Sequence, residues 1–180
     1  LAQAYRALGE RDKAREALDK FKLRAPDIAD PLLAELQAAT KRSLPAFKRA
    51  IHAVREGDYR TAVDELAAGL EVDPDNAAAR VSYARVLYLV GRRDEAAAEL
   101  QEALSLDPDH VLGNFLAGVL RQQQGDADAA AAAYSKVLSL DPLHTGALFY
   151  LANQDFASGR YAAAAEGYRR AAEADRSIAP

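Results

Sequence analysis

The sequence predicts an all-α fold, built as a stacked array of helix pairs rather than around one globular core. Three observations predict it. Gly57, Gly91 and Gly125 stand 34 residues apart, and Gly159 extends the series. Pro74, Pro108 and Pro142 keep the same step. No alternating apolar-polar stretch reads as a strand.

Each period is read as two antiparallel helices of about 12–14 residues joined by a short turn. Glycine suits the turn, because a helix commonly ends on a residue at positive φ, which costs glycine nothing. Asp58 and Asp126 follow their glycines and can accept from free amides of the next helix. Seven residues before each glycine stands a small residue: Ala50, Ala84, Gly118, Ala152. Nine after it stands a large one: Leu66, Leu100, Tyr134, Tyr168. Small residues let two helix backbones approach, and the large one fills the groove opposite. Twelve after each glycine come Gly69, Ala103, Val137 and Ala171. Proline closes the second helix because it cannot continue one, and Asn76 sits where a cap for the next helix belongs.

Taken in chain order, residues 1–28 read as the C-terminal part of a unit, with Leu1, Tyr5, Gly9, Ala14, Leu18, Phe21 and Pro26 in the pattern. Gly9 to Gly57 is 48 residues, one period plus 14. The surplus, 29–42, reads as an inserted short helix or linker opened by Asp30-Pro31, with Leu32, Leu33, Leu36 and Ala39 near one face. Ser43 and Pro45 restart the array by the same logic. Complete units are then expected at 43–76, 77–110, 111–144 and 145–178.

This pattern resembles the tetratricopeptide repeat (TPR) family over residues 43–176, with a partial unit before. Two departures stand out. Ala46, Arg80, Asn114 and Leu148 occupy the place of the usual tryptophan, and Arg176 stands where the last unit would carry proline. The resemblance implies a right-handed α-solenoid whose first helices line a concave face. On those helices it implies groove positions Phe47, Ile51, Val81, Arg85, Tyr88, Phe115, Val119, Gln122, Phe149, Asn153 and Phe156. Such a groove is apolar and aromatic, with few polar functions.

An exposed apolar stripe marks an interaction site. Its natural occupant is a protein or peptide ligand, an amphipathic helix or an extended segment with aromatic or aliphatic anchors. Coverage by a segment of the same protein or by a second copy, as in a homo-oligomer, is the competing reading. So is a self-assembling module, or the regulatory arm of a larger enzyme. Chaperone-binding members of the family clamp a peptide's terminal carboxylate with Lys, Arg and Asn. The comparable places here carry Phe47, Ile51, Ser82, Leu112 and Leu116, which cannot build that clamp.

Net charge −4 and a pI of about 5.4 give no general attraction to nucleic acid or an anionic membrane. Cysteine is absent, which removes disulfides, thiolate metal sites and a Cys nucleophile, and fits cytoplasm or periplasm equally. No apolar run reaches the roughly 18 residues needed to span a bilayer. His110 and His144, one period apart, read as loop residues near helix starts rather than ligands of a shared metal. The Asp73-Pro74-Asp75-Asn76 run lacks the spaced ligands of a calcium loop. No phosphate loop is present, no serine has a histidine at a telling spacing, and neither metal, cofactor nor catalytic residue is expected. The array opens inside a unit at Leu1 and ends soon after the last helix. The expectation is a fragment of a longer chain, with Tyr161 and Tyr168 partly uncovered.

Overall fold

A computed structural model describes residues 42–178. The expected segments 1–28 and, except for residue 42, 29–42 lie outside the described residues. Eight helices occur among the described residues: α1 (Leu44–Arg55), α2 (Tyr59–Val72), α3 (Ala77–Leu89), α4 (Arg93–Leu106), α5 (Val111–Gln123), α6 (Ala127–Leu140), α7 (Thr145–Ala157) and α8 (Tyr161–Ile178). No strand is present among them. They fall in two compact units, one up to Leu120 and one from Arg121 onward.

The glycine turns form for the reason the sequence suggests. Gly57, Gly91, Gly125 and Gly159 all have positive φ, between 75° and 84°. At the first, the Gly57 amide donates to the Val54 carbonyl (3.1 Å) and the Asp58 amide to the Ala53 carbonyl (2.8 Å). This paired closure satisfies carbonyls left open at the end of α1. The long bond recurs from Arg92 to Leu87, Asp126 to Arg121 and Arg160 to Asp155. Asp58 Oδ1 then accepts from the Thr61 amide at 3.1 Å, and Asp126 Oδ1 from Ala129 at 3.0 Å. At the other junction Asn76 Oδ1 accepts from Ala79 at 2.9 Å. Ser43 departs from expectation: it makes no cap bond to α1, and its hydroxyl donates instead to Asp73 Oδ2 at 3.4 Å.

Within the unit up to Leu120, α1 packs on α2, α2 on α3 and α3 on α4. The antiparallel sense of the first pair is visible in its contacts: Ser43 meets Asp73, Phe47 meets Gly69, and Arg49 pairs with Glu65 at 2.7 Å. Phe47, Leu66, Val81, Leu87 and Leu100 are central to one buried cluster. Full burial of a side chain such as Leu66 contributes about 1.5–3 kcal/mol. In the unit from Arg121 onward, α6 packs on α7 and α7 on α8. There Ala152 and Gly167 bring the backbones of α7 and α8 together, and Tyr168 packs beside them. The small residues Ala50, Ala84, Gly118 and Ala152 are buried, as are Leu66, Leu100, Tyr134 and Tyr168.

Candidate functional site

Each groove position has a definite place on a first helix, and burial divides them. Phe47, Ile51, Val81, Arg85 and Phe115 are buried. This corrects the expectation that these five offer groove surface. Phe47 shows the cause. Gly69 has no side chain, so the Phe47 ring sinks onto the α2 backbone and fills the space a Cβ would need. Ile51 and Val81 join the same core cluster. Tyr88, Val119, Phe149, Asn153 and Phe156 are half-buried, and Gln122 is exposed.

In the unit up to Leu120, Tyr88 on α3 rests against the core with Val54 and Leu112, leaving part of its ring outside. Val119 lies on α5, also half-exposed. Tyr83 packs against the same cluster, and burial pushes its phenol above the usual tyrosine range.

The unit from Arg121 onward is aromatic. Tyr134 on α6 stacks on Tyr150 of α7, with ring centroids 5.1 Å apart and planes within 5°. Phe149 meets Tyr150 edge-on at 5.9 Å and Tyr168 at 5.7 Å, and Phe156 meets Tyr161 at 5.3 Å. Offset and edge contacts at these separations are the favoured aromatic geometries. The polar tips are tied as well. Tyr134 donates its hydroxyl proton to Gln122 Oε1 at 3.0 Å, and Tyr168 donates to Asn153 Oδ1. Burial raises the Tyr168 phenol, which keeps it a protonated donor to Asn153. Phe149, Asn153 and Phe156 therefore share one side of α7, held from behind by Tyr168 and Tyr161.

Sequence reasoning missed Tyr150 and the phenol-to-carboxamide bonds. The signal was available: Tyr134 and Tyr168 hold the same register place, and a buried phenol seeks a partner. Tyr168 is also buried rather than partly uncovered, because Ala152 and Phe149 pack against it. Tyr161 is 38 % exposed.

His110 and His144 act as helix caps. His110 Nδ1 accepts from the Gly113 amide at 3.1 Å, and His144 Nδ1 from Ala147 at 3.2 Å. Burial lowers the His144 imidazole from its ordinary value, against the opposing pull of Asp141. No group of three or more His, Asp or Glu residues that could hold a metal occurs among the described residues. No helix among them is long and apolar enough to cross a membrane.

Three tetratricopeptide repeat family models match the chain, at residues 1–27, 53–117 and 115–177. The chain belongs to the tetratricopeptide repeat family. No curated protein sequence matches it. Among solved TPR structures it is similar to MamA, with 20% identity and a TM-score of 0.63 over 98% of this chain and 95% of that one. It is equally similar to MamA 41-end from Desulfovibrio magneticus RS-1, at 20% identity and a TM-score of 0.62, covering 99% and 93%. The first TPR of Spaghetti (RPAP3) bound to HSP90 peptide SRMEEVD is 20% identical with a TM-score of 0.62, covering 67% of this chain and 97% of that one. At this identity the likeness is one of fold.

Proposed function

We propose that this TPR chain is a non-catalytic scaffold that binds an apolar or amphipathic helix or peptide on the faces of its first helices. The side of α7 that bears Phe149, Asn153 and Phe156 carries the reading. Two half-exposed rings there flank a carboxamide, and packed tyrosines fix all three. Rigid aromatic anchors of this kind dominate binding energy at interfaces. Tyr88, Val119 and Gln122 supply further contact surface on their own helices. A family relative bound to a peptide supports the class of ligand. The ligand chemistry differs, because four of the five places compared with the carboxylate clamp, Phe47, Ile51, Ser82 and Leu116, are buried in this chain. A negative net charge favours a protein partner over nucleic acid. The cysteine-free composition suits a cytoplasmic or periplasmic setting.

Selection from a displayed peptide library against the full chain supplies the ligand, and calorimetry measures its affinity. Tyr88→Ala and Phe156→Ala, one substitution in each unit, should together weaken the selected peptide at least tenfold while circular dichroism stays unchanged. Undiminished affinity in the folded double variant refutes the face assignment. Self-association is the second reading, favoured by exposed Val72, Leu106 and Leu143. Light scattering across concentration separates the two.

A further inference from the structure

Three loops lead from a second helix into the next first helix, and each presents a cap at the same register place: Asn76, His110 and His144. In each, one side-chain atom accepts from the amide three residues on. The asparagine oxygen can do so at any ordinary pH. An imidazole Nδ1 can do so only while it carries no proton, because both ring nitrogens of an imidazolium are donors. Protonation would therefore turn acceptor into donor, facing an amide that is itself a donor. It would also set a positive charge at the end of the helix where the dipole is already positive.

The surroundings raise the stakes. His110 is only 8 % exposed, and Leu104 from α4 and Val81 from α3 pack beside the residue whose amide it holds, Gly113. Asp107 and Asp109 lie on the same loop, and the Asp107 backbone carbonyl accepts from the His110 amide at 3.3 Å. His144 has Asp141 beside it, which favours the imidazolium, and burial, which opposes it and prevails. Both helices opened by these caps carry surface discussed above: Val119 and Gln122 on α5, and Phe149, Asn153 and Phe156 on α7.

We propose that His144 is an acid-sensitive lock, holding the start of α7 while its Nδ1 is unprotonated and releasing it on mild acidification. This goes beyond the ligand-binding reading and does not depend on it. For His144 the sign follows from its lowered folded value. The stability it contributes is complete above the free-imidazole value of about 6.5 and is lost as pH falls from there through the folded value.

The test uses the full chain and the variant His144→Asn, since asparagine already caps the equivalent place at Asn76, and His110 is left common to both proteins. Thermal unfolding is followed by circular dichroism at pH 7.5 and 5.5. His52 is exposed, lies on α1 and is common to both proteins, so it cancels. Carboxylates with ordinary values near 4 stay ionised across this range. The wild-type melting temperature should fall roughly 2–4 °C further than that of the variant, the worth of one cap in a chain of this size. An equal fall in both proteins overturns the proposal. Nitrogen-15 spectra of the wild type give a readout that needs no variant. The His144 ring should be the Nε2–H tautomer with Nδ1 as acceptor at pH 7.5, and an Nδ1–H tautomer there overturns it.

Discussion

Replacing Gly69 by alanine tests whether the first hairpin is held by a ring seated on bare backbone. Phe47 is fully buried, and its Cε1 lies 2.1 Å from the place a Cβ on residue 69 would take, with Cδ1 at 2.5 Å and Cζ at 2.8 Å. Two effects oppose each other. Alanine is favoured over glycine inside a helix by roughly 1 kcal/mol. Overpacking a filled core costs about 1–3 kcal/mol. Three ring atoms meet the new methyl at once, so no small rotation relieves it, and the upper part of that range applies. The net destabilisation is about 1–2 kcal/mol, or a melting temperature lower by about 2–8 °C in a chain of this size. The second repeat shows the alternative solution, with Val81 and Ala103 at the two equivalent places. Phe47→Val alone should destabilise by leaving a cavity. The double variant should then lose less than the sum of its parts, with a coupling of about 1 kcal/mol or more. Urea unfolding of the four proteins closes the cycle. A Gly69→Ala protein as stable as wild type, or an additive cycle, refutes the packing argument.

Gly167→Ala should also destabilise, by about 1 kcal/mol net of the helix gain, because the new methyl meets Ala152 Cβ at 2.8 Å and its Cα at 3.4 Å, with no flexible side chain to yield. An unchanged urea midpoint would show that α7 and α8 can separate at no cost. Labelled SRMEEVD peptide should show no saturable change in fluorescence anisotropy with this chain, since Phe47, Ile51, Ser82 and Leu116 are packed away at the compared clamp places. Saturable binding at micromolar peptide would refute that comparison.

Periodicity made the architecture legible because turn chemistry is local. A glycine at positive φ, an aspartate one residue later and a proline after the second helix each act within a few residues, so their spacing reports the helices directly. The third cap position was legible too, had register been weighed above residue type. Asn76, His110 and His144 are 34 residues apart, and one of the three is an ordinary cap residue. Depth was not legible. Whether a first-helix side chain lines a groove or fills the core depends on what faces it from another helix. Phe47 and Phe149 hold the same register place, yet one is fully buried and the other half-exposed.

The residues at the facing register place differ between these two repeats. Opposite Phe47 stands Gly69, so the ring lies flat on the helix behind it. At the place equivalent to Gly69 the last repeat carries Ala171, buried in a cluster of its own against which Phe149 packs. There Phe149 also meets the rings of Tyr150 and Tyr168. The size of that residue does not act alone, because the third repeat carries Val137 at the place equivalent to Gly69 and its Phe115 is nonetheless buried. Repeats therefore expose the same register place to different degrees, and what packs there from the second helix, as at Gly69 and Ala171, is part of the cause. A substitution at such a place, and not only on the face itself, should change which side chains a partner meets.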